Sequence, residues 1–439
     1  MALANLFHHL PIVLLSLTYI ALYLWYKKTD LNQRNKLKII NDPIYGFITI
    51  PSPLIFDLIE HPYFQRLRRI TQMGLSHLVY PGANHTRFHH ALGCLHLMKK
   101  AVDILKFKGV DISEEEEEGV LIAILLHDIG HGPFSHALEH SIVSDLSHEY
   151  LSLEFMNRLN IEFQGQLTLA INIFRGNHDK KFLCQLISSQ LDIDRLDYLK
   201  RDSFYTGVAE GNINSERLIN MLNVVDDKLV VEEKGIYSIE KFLVARRLMY
   251  WQVYLHKTSL SAEQLLIRLL RRAKYIFETT DEQIENSTLN YFLRHDINSE
   301  NFDDITLQLF SKLDDYDIIS ALKSWQNHDD FVLSRLSKMI LNRDLLKIKL
   351  KNEPIDQEKL KCHLSKVIKN YKLSEEEAEY FVFEGTTSNL AYQPDKEHIN
   401  IWYKNGKIKD VSSASDQLNL KALSKTVVKH YLCYPKTYN

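Results

Sequence analysis

"LLHDIGHGPFSH", residues 125–136, decides how this chain is read. Residues 120–126 are continuously apolar, and His127 and Asp128 follow without a break. An apolar run with no polar face reads as a helix buried on all sides. Such a helix carries His127 and Asp128 into the interior, where an uncompensated carboxylate is very costly. Gly130, Gly132 and Pro133 then stop the helix, so the backbone turns sharply and brings His131 and His136 toward the same region. A divalent cation resolves the conflict: neutral imidazole nitrogen and carboxylate oxygen are ligands for zinc, iron or manganese, and adjacent residues at a helix end can share one ion. The plainer alternative is a core histidine beside an aspartate paired with an arginine.

Outward from this stretch, helical patterns dominate. Residues 113–130, "SEEEEEGVLIAILLHDIG", open with Ser113 and Glu116 at capping-box spacing, and Glu114 to Glu118 read as a solvated first turn favoured by the helix dipole. Residues 52–74 and 89–109 repeat apolar residues at i, i+3, i+4 and end at glycine. Further helices are expected over 151–159, 182–201, 216–224, 239–258 and 261–279, with "KLVVEEKGIYSIE", residues 228–240, as an inserted hairpin. Upstream, "INDPIYGFITI", residues 40–50, has turn signals at Asp42-Pro43 and Gly46 before a short strand over 47–50. Beyond residue 300, polar helices give way to a lysine-rich amphipathic stretch over 341–372. Period-two patterns follow in "YFVFEG" and "HINIWYKNGKIKDV", the latter turning at Asn405-Gly406, before a last helix expected over 422–431. The fold class expected is mainly α: a helical body over 36–300, and a helical extension with a small C-terminal α+β lobe over 301–439.

With 439 residues, 45% hydrophobic and 25% charged, the chain is an ordinary globular protein, and a net charge of −3 gives no global reason to expect a nucleic-acid binder. Its four cysteines form no CxxC pair, which speaks against a disulfide framework or a thiolate zinc site and for a reducing cytosol. Residues 1–26 carry no Asp, Glu, Lys or Arg and precede Lys27 and Lys28. The stretch 6–26, within an apolar N-terminal helix over 1–28, is thus a candidate membrane anchor that leaves the remainder cytoplasmic, with an apolar docking helix as the rival reading.

Other segments supply what the His-Asp dipeptide lacks. "NHTRFHHALG", residues 84–93, places Arg87 and His90 one helical turn apart. "QLDIDRLDYLKRD", residues 190–202, aligns Asp194, Tyr198 and Asp202 on one helix face, while Asp197 and Arg201 read as a solvated ion pair on another. "VARRLMYWQVYLHK", residues 244–257, aligns Arg246, Tyr250 and Tyr254, a set that aromatic packing alone would also explain.

The ordered set His90, His127-Asp128 and Asp194 resembles the H…HD…D signature of the HD-domain metal-dependent phosphohydrolases. More narrowly, "INDPIYG", "QRLRRITQMG", "YPGANHTRFHHALG", "HDIGHGPFSH", "HEYLSLEF", "DRLDYLKRD" and "YLHK" resemble, in order, the branch of deoxynucleoside triphosphate triphosphohydrolases that includes the sterile-alpha-motif and HD-domain enzyme of animals. The likeness runs from about residue 38 to 275. It implies a divalent metal (iron, manganese, zinc or magnesium) held by His90, His127, Asp128 and Asp194. It also implies that His131, His136 and His148 face the α-phosphate, with His136 or His148 as proton donor and Glu149 orienting His148. Around the nucleotide substrate it places Gln72, Arg87, Arg195, Tyr198, Asp202, Arg246, Tyr250 and Tyr254. Asn41, Glu60, Gln65 and Arg68 fall where relatives bind an activating guanine nucleotide that promotes tetramer assembly, so a homo-oligomer, dimer or tetramer, is expected. Four positions depart from the family pattern: His89 stands for a common Glu, Tyr250 for a frequent His, Arg195 for a Lys and Glu60 for a shorter acid. The activity implied is hydrolysis of a dNTP to deoxynucleoside and triphosphate. Rival readings are another HD phosphohydrolase and a non-catalytic nucleotide or single-stranded nucleic-acid binder using the lysine-rich stretch; the intact ligand set disfavours the latter.

Overall fold

The computed structural model describes residues 38–134, 141, 143, 146–280, 287–393, 397–416 and 423–438. The candidate anchor at 6–26 lies outside them, and among the described residues no helix is long and apolar enough to cross a membrane. The chain divides into two units, Met1–Glu60 and His61–Asn439.

In the first unit, strands β1 (Ile39–Asp42) and β2 (Gly46–Thr49) pair antiparallel, with Asn41 opposite Phe47. Asp42 closes the turn by accepting from the backbone N–H groups of Ile44 and Tyr45 at 2.8 and 3.0 Å. Helix α1 (Pro53–Glu60) follows and buries Ile55, Leu58 and Ile59.

The second unit is built around α2 (Arg87–Phe107) and α3 (Glu114–Leu126). Every residue of α3 from Gly119 to Leu126 is buried, and the helix packs against α2 and a short helix over Thr168–Phe174. Its expected capping box is present: Ser113 Oγ accepts from Glu116 N at 3.1 Å, and Glu116 Oε2 accepts from Ser113 N at 2.8 Å. At the start of α2 His89 fills the role usual for Glu in such a box, its Nδ1 lying 3.2 Å from Thr86 N and 2.9 Å from Thr86 Oγ1. Helices α4 (His148–Glu162), α5 (Ile193–Thr206), α6 (Ile236–Met249) and α7 (Lys257–Thr279) complete the body.

Several expected helices are divided, each for a local reason. The stretch 52–74 is interrupted because Pro62 opens a new short helix, Pro62–Gln65, which a 3-10 turn over Arg66–Arg69 follows. The span 182–201 breaks after Lys181–Ile187, where Asp192 caps α5 by accepting from Arg195 N at 2.8 Å. The span 239–258 ends its α form at Met249 and passes through a π turn at Tyr250–Tyr254 before His256 caps α7. The helix expected over 216–224 closes at Asn220, because β3 (Leu222–Val225) and β4 (Lys228–Glu232) form the hairpin there.

After residue 300 come α8 (Asp315–Trp325), α9 (Phe331–Leu341), β5 (Lys347–Lys351), α10 (Gln357–Tyr371), β6 (Phe383–Asn389), β7 (Asn400–Trp402), β8 (Ile408–Asp410) and β9 (Val427–Tyr434). The whole is mainly α, a helical body with short hairpins and a small C-terminal α+β lobe. The last helix expected over 422–431 is corrected to a strand: β9 is central in the order β5-β9-β6, and its buried end, Tyr431 to Tyr434, is covered on both faces. The Asn405-Gly406 hairpin forms as expected, with Gly406 at φ 81°. Its strand β7 pairs parallel to β4, Val231 facing Ile401, so the sheet order β3-β4-β7-β8 combines residues 222–232 with 400–410.

Candidate active site

Three helix ends meet at the histidines. His90 lies in the first turn of α2, Asp194 in the first turn of α5, and His127-Asp128 where α3 ends. His90 Nε2 stands 3.1 Å from Asp194 Oδ1 and 3.7 Å from Asp128 Oδ2. His127 Nε2 stands 3.6 Å from Asp194 Oδ1 and 3.5 Å from Asp128 Oδ1. Ligand atoms of His90, His127 and Asp194, together with Cys94, lie within 4.8 Å of one another, and those of Asp128, His131 and His148 form a second such group beside them.

The surrounding groups fix which nitrogen faces the cluster. His127 Nδ1 donates to the Ile124 carbonyl at 2.7 Å, while Nε2 is buried and has no hydrogen-bond partner among the described residues. His90 Nδ1 bonds Asp197 Oδ2 at 2.7 Å, leaving Nε2 directed at Asp194. A ligand imidazole whose other nitrogen is held by a carboxylate or carbonyl is the usual arrangement at protein metal sites. Burial opposes charge on His90, yet Cys94, Asp194 and Asp197 together hold its imidazole well above the ordinary value. Burial likewise opposes ionisation of Asp128 and Asp194, but the facing histidines, with Arg87 at Asp128, hold both carboxyls below the usual range. The field therefore favours positive charge in this cluster, and two imidazoles with two carboxylates suit a divalent metal.

Asp197 and Arg201 correct the expectation of a solvated pair. Both are fully buried; Asp197 accepts from Arg201 Nε at 2.9 Å and Nη2 at 3.0 Å, and its Oδ2 orients His90. Gly93 makes room for them: a Cβ there would lie 2.0 Å from Asp197 Oδ1 and 2.2 Å from an Arg201 nitrogen. A glycine one turn after a ligand histidine was the signal in the sequence for this contact. Cys94, one turn beyond His90, lies 3.6 and 3.7 Å from the two ring nitrogens, and its thiol is buried.

The turn after α3 is clamped from behind. Ser152 Oγ donates to the His127 carbonyl at 2.7 Å and accepts from Gly130 N at 2.9 Å. Gly130 has no space for a side chain, since a Cβ would meet the α4 backbone at Ser152 N within 2.2 Å. Arg66, buried between the rings of Phe155 and Phe310, donates to the carbonyls of Ile129 and Leu313 at 2.9 and 3.1 Å. Asp315, at the start of α8, accepts from Phe134 N at 2.8 Å and from Thr71 N at 2.8 Å. Nothing in the local pattern of 66–72 announced these long-range partners.

His131 is buried, with Nε2 3.4 Å from Asp128 Oδ1, and it stacks on His148 with ring centroids 3.9 Å apart. Burial and then the Arg87 charge push its imidazole well below the ordinary value, so it is neutral near pH 7. His148 Nε2 lies 3.5 Å from Glu149 Oε1, whose side chain is exposed. His136 lies outside the described residues.

Beside the cluster is a cavity of about 500 Å³, the size of small-molecule sites. Gln72, Arg87, Tyr198, Asp202, Tyr250 and Tyr254 line it, six of the eight residues expected around the nucleotide. Arg87 joins the cavity to the cluster, because its guanidinium also donates to Asp128. Asp202 is held by His85 Nε2 at 2.7 Å and by Tyr254, whose OH donates at 2.8 Å. Burial and then the Asp202 charge hold the Tyr254 phenol well above its ordinary value, so it remains a donor. The Tyr254 ring meets Tyr250 and Tyr198 edge-on, at 5.1 and 6.0 Å. The other two expected residues are absent from the wall: Arg195 pairs with Asp192, and Arg246 donates to the Ala391 carbonyl at 3.0 Å and to Gln190 at 3.4 Å. Ser259, Glu263 and Gln264 of α7 and Thr387 of β6 also line the cavity and were not anticipated.

Of the four residues expected at an activating nucleotide, Asn41 lies in β1 and Glu60 ends α1. In the second unit, Arg68 Nε donates to Gln65 at 2.8 Å, and the Arg68 guanidinium lies 3.6 Å over the Phe88 ring.

The family model for the HD domain matches residues 87–202, and that for an HD associated region matches residues 213–296. A crystal structure of a phosphohydrolase from Bacteroides thetaiotaomicron is 53% identical, with a TM-score of 0.88 covering 91% of this chain and 100% of that one. YwfO, an uncharacterized protein of Bacillus subtilis, is 32% identical over 414 residues, which are 91% of this chain and 92% of that protein. The deoxynucleoside triphosphate triphosphohydrolase SAMHD1 homolog of Dictyostelium discoideum is 33% identical over 275 residues, 58% of this chain and 53% of that longer protein.

Proposed function

Because this chain belongs to the HD-domain phosphohydrolase family, we propose that it hydrolyses deoxynucleoside triphosphates to deoxynucleoside and triphosphate. The observation that carries this reading is Arg87, which lines the cavity and at the same time donates to Asp128 of the ligand cluster. His90, His127, Asp128 and Asp194 would hold a divalent metal, which when bound supplies electrophilic activation of a phosphorus and lowers the pKa of water. Arg87 neutralises phosphate oxygens beside those ligands. His148, backed by Glu149 and stacked on neutral His131, or else His136, delivers the proton that the 5′ oxygen needs as its bond to the α-phosphorus breaks and water oxygen bonds to that phosphorus. Tyr254, fixed through Asp202, packs against the deoxyribose and leaves no space for a 2′-hydroxyl. Asn41, Glu60, Gln65 and Arg68 remain the residues to test for activation by a guanine nucleotide and for the assembly it would promote.

Product analysis separates this reaction from its rivals. Protein supplied with manganese or iron releases triphosphate, not orthophosphate, from at least one dNTP, and Asp128→Ala with Asp194→Ala abolishes the release. Orthophosphate alone, or activity that survives both substitutions, refutes the reading.

A further inference from the structure

The cavity has polar lining to which the chemistry above gives no task. Phosphates go to the side of Arg87 and the ligand cluster, and the sugar to Tyr254 and Asp202. What remains is Gln72 and Ser76 on one stretch of the lining and, on another, Ser259, Glu263 and Gln264 of α7 with Thr387 of β6.

Ser259 is the informative member. It is only 6% exposed, it lines the cavity, and its Oγ is buried with no hydrogen-bond partner among the described residues. A hydroxyl in that state costs stability unless something arrives to satisfy it. Gln264, farther along α7, lines the same cavity with an amide that both donates and accepts. A hydroxyl and an amide lining one cavity suit a planar partner edge that carries donors and acceptors together, which is the chemistry of a nucleobase. The lining also draws on two parts of the chain, since Thr387 comes from the C-terminal lobe.

We propose that Ser259 and Gln264 form the base-reading edge of the nucleotide cavity and determine which base is preferred. This rests on the nucleotide reading above. Loss of one such hydrogen bond changes kcat/KM for the favoured base by about three- to tenfold relative to the others.

The test compares Ser259→Ala, Gln264→Ala and the parent for kcat/KM on the four dNTPs, alongside thermal melts. The expected result is a changed ranking of bases in at least one variant. Ser259→Ala should melt at or above the parent temperature, because it deletes an unsatisfied buried hydroxyl. Ratios among the four bases that stay within error in both variants overturn the inference and leave the hydrolase reading standing. A parent that releases triphosphate from none of the four dNTPs sinks the hydrolase reading instead. Calorimetric binding of the four deoxynucleosides, which carry no phosphate, then decides the inference independently: a ranking altered by Ser259→Ala supports it, and equal binding to parent and variant, or none, overturns it.

Discussion

Asp197 shows how much one carboxylate carries at the scale of a residue. It neutralises buried Arg201 and orients His90, so its two oxygens serve the fold and the ligand cluster together. Asp197→Asn keeps the shape and removes the charge. It should cost about 3–5 kcal/mol, the range for stranding one partner of a buried pair, as read by denaturant titration. Metal affinity should also fall by about 10–100-fold, measured by competition with a chelator. A stability loss with unchanged affinity would make Asp197 structural only. The site was unevenly legible in the sequence for a related reason. His90, His127, Asp128 and Asp194 stood out because an acid or imidazole at the end of an apolar helix needs explaining. Asp197 did not, because an i, i+4 Asp-Arg pair has the same spacing in solvent as in the core. Arg195 and Arg246 have the right charge for phosphate, and in this structure Asp192 pairs with the first while the Ala391 carbonyl and Gln190 accept from the second.

At the scale of elements, most helices were visible from periodicity, and the errors fall where a cap or a tertiary neighbour prevails over it. Asp192, Pro62 and the π turn at Tyr250–Tyr254 each divide a pattern that reads as continuous. The strand β9 was misread because its alternation is lost when both faces are covered. Caps can be tested directly. Asp330 caps α9 by accepting from Leu333 N at 2.7 Å, and it also accepts from Arg272 Nε of α7 at 3.1 Å. Partial burial works to raise its pKa, but Arg272 and the Leu333 N–H outweigh it and hold the carboxyl below the usual value. A depressed folded-state pKa contributes stability above the unfolded value, near 4, and that contribution fades as pH falls through the folded value. Asp330→Asn, still a competent cap, should therefore lose about 1–3 kcal/mol at pH 7 and almost nothing near pH 2. Urea titrations of both proteins at the two pH values would show it; an equal gap at both would rule out the ion pair as the cause.

For the whole molecule, the ligand cluster joins three helices, so an ion bound there should stabilise them together. Manganese at about 100 times its Kd should add about 2.7 kcal/mol of apparent stability, seen as a raised Tm, and Asp128→Ala should abolish the rise. The parallel pairing of β4 with β7 acts over a longer range. Ile401, fully buried opposite Val231, should cost about 2–5 kcal/mol when replaced by Ala, read from the shift in chemical denaturation. That pairing also governs the order of events during synthesis. When α7 leaves the ribosome, all four expected ligands have been made, yet β4 still presents an open edge with Val230 and Val231 beside it. The edge is covered only after more than a hundred further residues have been added, an interval in which another strand can pair there. A nascent chain arrested before residue 400 should therefore aggregate although the four expected ligands are already in it, and the emergence of β7, rather than assembly of the ligand cluster, should set the moment of escape.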